Sequence, residues 1–260
     1  MALTYGKYLQ LERLLGAQQP LSTGPEHDEM LFIVVHQVYE LWFKQILHEL
    51  DRLRVTLDRA ETHRALATLK RVLTIFKTLV AQIDILETMT PMSFLAFRDR
   101  LERSSGFESV QFRQIEFSLG HKRKSALEHY PEGSAERAQL ERRMQERSVW
   151  DSFLGYLHAQ GFELPAEVRQ RDVQQAIEPS AAVQAALLSV YKSDALVSQL
   201  CERLVDLDEG VQEWRYRHVK MVERTIGTKA GSGGSSGAEY LKATLFKPLF
   251  PDLWAIRVQL

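Results

Sequence analysis

Leu66-Ala-Thr-Leu-Lys-Arg-Val-Leu-Thr-Ile-Phe-Lys-Thr-Leu-Val-Ala-Gln-Ile83 is the stretch that decides the fold class. Leu66, Leu69, Val72, Phe76, Leu79 and Ile83 recur at steps of three and four, so a helix gathers them on one apolar stripe. Proline lacks an N–H and glycine lacks a side chain, and both punctuate helices for those reasons. Neither occurs between Pro25 and Pro91, nor between Pro179 and Gly210, where Leu187, Val190, Leu196, Leu200 and Leu204 drift in the same helical way. No stretch shows sustained strand-like alternation. The sequence predicts an all-α fold, a bundle of long helices packed side by side.

Working outward, residues 1–260 read as a single all-helical domain. Long helices fill 3–119 and return over 180–260, where a glycine-rich loop at 227–237 interrupts them. Residues from about 120 to 178 carry more charge and more breakers, including Pro131, Gly133, Gly155, Gly161 and Pro165, and read as a peripheral excursion of shorter helices. Hydrophobic residues make up 45% and charged residues 26%, enough apolar content for a real core. The formal net charge is -1, and no basic tail or run of like charges suggests nucleic acid or an anionic membrane. The densest apolar run, 30–35, is far short of the roughly 20 residues of a membrane span. Residues 1–15 mix charged and apolar types with no apolar signal core. The single cysteine, Cys201, cannot form an internal disulfide, which fits a reducing compartment. The expected location is cytoplasmic.

Several familiar chemistries fail. A ferritin-like di-iron site needs Glu-x-x-His on two helices, and none of the eight histidines has Glu three residues before it. His48-Glu49 opens a zinc-protease motif, but Arg52 stands where the second histidine is required. Gly233-Gly-Ser-Ser-Gly237 matches a nucleophile-elbow pattern that works at a strand-to-helix turn, and no sheet is evident to supply one.

Two histidines and one arginine carry more. Val211, Trp214, His218, Met221 and Thr225 share a helix face, with Arg215, Arg217, Lys220 and Arg224 in neighbouring directions. One imidazole on an apolar face flanked by cations suits a haem, since imidazole can ligate iron and cations can meet the propionates. The same pattern also suits a core histidine bonded to a backbone carbonyl, with arginines on a solvated face. His36 lies one turn after Phe32 and two before Phe43, in reach of aromatic side chains, and can act as a neutral donor or acceptor or simply be a satisfied core residue. Arg98 follows Phe94 by one turn. A guanidinium beside aromatic rings can clamp the carboxylate of an aromatic amino acid, or pair at the surface with Asp99 or Glu102.

Taken together, these segments resemble the tryptophan 2,3-dioxygenase family. The likeness rests on Tyr5-Gly-Lys-Tyr8, His27-Asp-Glu-Met-Leu-Phe-Ile-Val-Val-His36-Gln-Val-Tyr-Glu-Leu-Trp-Phe-Lys44, Leu86-Glu-Thr-Met-Thr-Pro91, Phe97-Arg98, Ser105-Gly-Phe107, Trp214-Arg-Tyr-Arg-His218 and Lys229-Ala-Gly-Ser-Gly-Gly-Ser-Ser-Gly237. It runs over about 3–120 and 196–245 and is weak in the middle and at the extreme C-terminus. The resemblance implies a homotetramer with one heme b (b-type haem) per chain, and a haem-dependent dioxygenase. Such an enzyme inserts O2 across the indole C2–C3 bond of L-tryptophan to give N-formyl-L-kynurenine, the first step of tryptophan catabolism by the kynurenine pathway. It makes His218 the axial iron ligand and puts His36 on the distal side, beside the indole nitrogen. It sets Phe32 against the indole, with Ile33, Val34 and Val35 on the same pocket-lining segment, and gives Arg98 the substrate carboxylate beside Phe94. Tyr5 and Tyr8 are expected to reach a neighbouring subunit's pocket. Ser232 stands where relatives commonly have threonine, keeping a hydroxyl for the substrate's polar groups but losing a methyl. Two rivals stand beside this reading: a haem enzyme of the same fold acting on another indole, and a non-enzymatic helical relative.

Overall fold

The apolar stripe of 66–83 lies on a helix of 25 residues, Thr62–Leu86, and Leu69, Val72, Phe76, Leu79 and Ile83 are all buried along it. This is a computed structural model, describing residues 2–24, 26–102, 104, 106–229 and 238–260. In chain order the helices are α1 (Tyr5–Leu9), α2 (Leu11–Leu15), α3 (Asp28–Asp58), α4 (Thr62–Leu86), α5 (Pro91–Arg98), α6 (Val110–Ser118) and α7 (Ala135–Gln145). They continue as α8 (Val149–Ala159), α9 (Ala166–Arg169), α10 (Ala181–Ser193), α11 (Ala195–Ile226), α12 (Ala238–Lys242) and α13 (Pro251–Ala255). No strand occurs among the described residues. The fold is all-α. The frame is a layer of three long helices in which α4 packs against α3 on one side and α11 on the other, while α6 and α8 lie on α3.

Two helix ends occur where neither glycine nor proline announces them. After α3, Ala60 takes φ 57. The Ala60 N–H donates to Leu57 O and the Glu61 N–H to Thr56 O, both at 2.9 Å. These paired bonds close the last turn as a Schellman cap, so that carbonyls with no partner in the helix are satisfied. Between α10 and α11 the stop is Asp194, whose carboxylate accepts from the Leu196 and Val197 N–H groups at 2.9 Å and caps α11. Gly210, by contrast, is passed through without a break inside α11.

The expected peripheral excursion divides in two. Residues around 124–145 do pack apart, with Phe117, Ala126, Tyr130, Leu140 and Met144 forming a small cluster of their own. Helix α8 does not: Trp150, Phe153, Leu154 and Leu157 belong to the main core. Its sequence is apolar almost all round, and a helix of that kind is stable only when neighbours cover it on every side. The excursion is clipped to the end of α6 by buried Lys122, whose ammonium donates to the carbonyls of Met144 (2.9 Å), Val173 (2.7 Å) and Glu146.

Candidate active site

The N-terminal half of α3, the C-terminal half of α11, α5 and α6 enclose a cavity of about 210 Å³. Helix geometry decides which side chains reach it. On α3, Phe32, His36, Tyr39 and Phe43 step along one stripe and line the cavity. Ile33, Val34 and Val35, expected on the same wall, do not. Each helical residue turns the direction by about 100°, so three residues sweep around the far side between one wall position and the next. Val35 is 4% exposed within the core and Val34 is 39% exposed.

The His36 Nδ1 lies 2.7 Å from the Phe32 carbonyl oxygen. A carbonyl only accepts, so Nδ1 carries the proton and Nε2 presents a lone pair. Burial lowers the His36 pKa, opposed by that carbonyl and by Glu40 one turn on. The imidazole is therefore neutral at ordinary pH. Its ring sits 4.0 Å from the Phe32 ring, and Phe94 and Phe97 complete an aromatic corner at 5.8 and 5.6 Å from Phe32. Arg98, the last residue of α5, lines the same cavity.

Across the cavity stands His218, on α11. Trp214, Met221 and Thr225, one and two turns away, share its wall as the spacing predicts. His218 is half-buried, and the surface it keeps faces the cavity. Burial, with His36 and Arg113 nearby, brings its pKa down to about 4. Of the four cations flanking it in sequence, only Arg215 lines the cavity. Arg217 pairs with Asp84 at 2.6 Å, Arg224 with Glu87 at 3.4 Å and Lys220 with Glu223 at 2.9 Å, all on the outer faces of α4 and α11.

The sequence reading missed a buried charge cluster in the wall. Arg113 and Arg215 each lie 2.8 Å from Glu116, and Arg123 lies 2.9 Å from it. Burial alone would raise the Glu116 pKa, but the three guanidiniums outweigh it and hold the carboxyl at about 2. The same burial, with Arg123 and Arg215 beside it, brings His121 down to about 4. Nothing local in the sequence marks Glu116 as the partner of an arginine on another helix.

Two expected contributors stand apart. Tyr5 and Tyr8, on α1, are 76% and 71% exposed and do not line this chain's cavity. Ser232 lies outside the described residues.

His218 can be tested as the seat of a haem. No group of three or more His, Cys, Asp or Glu side chains gathers among the described residues. A lone imidazole suits a metal that arrives with its equatorial ligands already in place, as in a porphyrin. The donor is neutral and half-buried, opens on a cavity, and makes no hydrogen bond to another described residue. The aromatic walls suit a flat apolar ring, and Arg113 and Arg215 suit its carboxylates. The residues fit the group.

A family model described as tryptophan 2,3-dioxygenase matches residues 1–137 and 190–260. Several relatives named tryptophan 2,3-dioxygenase align over nearly the whole chain. The one from Herpetosiphon aurantiacus is 60% identical, covering 100% of this chain and 99% of its own. That of Anaeromyxobacter sp. (strain K) is 59% identical over 98% and 96%. That of Bacillus anthracis is 43% identical over 99% and 93%.

Proposed function

The chain belongs to the tryptophan 2,3-dioxygenase family, and from that premise we propose that it is a haem-dependent enzyme adding both atoms of O2 across the indole C2–C3 bond of L-tryptophan, giving N-formyl-L-kynurenine. The observation that carries this reading is the pair of half-buried, neutral imidazoles, His36 and His218, on two different helices that line one aromatic cavity.

His218 would hold the iron of one haem b per subunit, and Arg113 and Arg215 would face the porphyrin carboxylates. Bound there, the haem supplies the oxygen chemistry. The chain supplies position and a dry site. The Nε2 lone pair of His36, left open by the Phe32 carbonyl, accepts the indole N–H and fixes the ring's orientation. An indole N–H is a far weaker acid than an imidazolium, and burial lowers the His36 pKa further, so full deprotonation is steeply uphill and His36 orients rather than abstracts. Phe32 and Phe94 flank the ring and Arg98 takes the amino-acid carboxylate; the family resemblance would add the hydroxyl of Ser232, which lies outside the described residues. This is the first step of tryptophan catabolism by the kynurenine pathway. The exposed rings of Tyr5 and Tyr8 support a homotetramer in which each arm reaches a neighbour's pocket. No described helix is long and apolar enough to cross a membrane.

The test is anaerobic reduction of the purified protein, then L-tryptophan and air, with N-formylkynurenine followed by absorbance. Wild type should show a haem band and form product. His218→Ala should lose stable haem, and a normal haem complement in that variant removes His218 from the iron.

A further inference from the structure

Resting on that reading, the geometry points to Trp214 as the residue that sets the plane of the axial imidazole of His218. Metal-bound histidines are usually oriented by a hydrogen bond from their second ring nitrogen to a carbonyl or carboxylate. Among the described residues nothing hydrogen-bonds either nitrogen of His218. What holds the ring is a flat face. Trp214 lies one turn earlier on α11, its plane 4° from that of the imidazole and the centroids 5.2 Å apart. That is a displaced parallel stack.

The indole is itself held from three directions. Phe43 meets it edge-on at 6.0 Å and 85°, Tyr39 at 6.3 Å and 64°, and Phe112 from α6 lies 4.6 Å away. Tyr39 cannot yield, because its hydroxyl donates to the Leu79 carbonyl at 2.7 Å and ties α3 to α4. The stack thus carries the rigidity of the three-helix layer to His218. The torsion that turns an imidazole about its Cβ–Cγ bond is a broad one, with little preference of its own. Without the indole, little else would choose the ring's plane.

The buried Trp214 N–H lies beside the Tyr39 hydroxyl. Phenylalanine would fill most of the space, but with a smaller face toward His218. Trp214 is accordingly a positioning residue: it acts on the iron only through His218.

The experiment uses the haem-loaded protein. Resonance Raman of the ferrous form reads the iron–histidine stretch, and transfer to a haem scavenger reads release. In Trp214→Leu the stretch should broaden and shift, and haem should leave about ten- to a hundredfold faster, the usual effect of removing a group that orients a metal ligand. Trp214→Phe should fall between, and it decides the matter alone if the leucine variant does not fold. The control is Trp150→Leu, a buried tryptophan of α8 stacked on Phe250 outside the cavity, which should leave the stretch where it is. A stretch and release rate in the Trp214 variants equal to wild type overturn the assignment. So does a shift of equal size in Trp150→Leu, which would make it general loosening. A wild-type protein with haem but no iron–histidine stretch removes His218 from the iron, and the assignment with it.

Discussion

Two arginine–carboxylate knots in this molecule use the same groups at the same distances and stand in opposite surroundings. In the cavity wall, Arg113, Arg123 and Arg215 converge on Glu116 at 2.8–2.9 Å, and that residue is 2% exposed. Between α3 and α7, Arg54 and Arg143 share Asp51 and Glu146 at 2.6–3.1 Å, where the two carboxylates are 44% and 43% exposed. The outer knot is balanced, two charges against two, and water screens it. Pairs of that kind each contribute on the order of 1 kcal/mol or less. The inner knot sets three cations on one carboxylate and takes Glu116, Arg113 and Arg215 out of water, with Arg123 at its half-buried edge; there desolvation rivals the Coulomb attraction. Contact distance therefore says little about energy. Burial decides what losing a partner costs, and at the cavity it also leaves the wall electropositive.

The strongest way to break this contrast is Glu116→Gln, which keeps the shape and removes the charge. With buried guanidiniums left facing a neutral amide, stability should fall by about 3–5 kcal/mol in urea unfolding at pH 7. A loss no larger than that of an outer-knot variant would make the two knots equivalent.

Acid should separate them next. His121 has its pKa brought from 6.5 down to about 4, so as pH falls the unfolded chain binds that proton first. Its contribution is intact above 6.5 and is lost progressively down to about 4. Glu116, brought from 4.5 down to about 2, adds a second loss over that lower window. The urea midpoint should therefore begin to fall below pH 6.5, and His121→Gln should flatten the upper part of the curve. An unchanged slope in that variant would place the acid sensitivity elsewhere.

Arg98 sharpens the comparison from the ligand side, since it lines the cavity outside the Glu116 knot. Arg98→Ala should leave stability nearly intact and raise KM for tryptophan about ten- to a hundredfold, the equivalent of roughly 1.5–3 kcal/mol for a charge-assisted pair. An unchanged KM removes it from the carboxylate.

The smallest effect belongs to the outer knot. Asp51→Asn should cost about 1 kcal/mol or less and progressively less as salt is raised, because exposed charges are screened. A larger, salt-independent loss would mean that this knot behaves as a buried one.

Much of the fold was legible along the chain. The stripe of α4 and the wall positions Trp214, His218, Met221 and Thr225 follow from spacing alone. Other features were open to reading but were misjudged. Asp194 is a strong helix-capping type just before an apolar-periodic segment, and Val149-Trp-Asp-Ser-Phe-Leu-Gly-Tyr-Leu157 is too apolar for a peripheral helix. The cap at Ala60 was not legible, because alanine carries no turn signal and takes its positive φ from the surrounding bonds. Ile33, Val34 and Val35 show the opposite error, in which a contiguous string was treated as a contiguous surface.

Residue order by itself determined the helical class, the family, and which side chains share a helix face, because these depend on a period of 3.6 residues and on local strings. Only the tertiary structure decided which faces meet. It set Trp214 flat on His218 beneath Tyr39, Phe43 and Phe112, brought Arg215 to Glu116 across 99 positions, and took α8 into the core. The register of one helix against another comes from close packing of side chains distant in sequence, and no periodicity within a single helix encodes it.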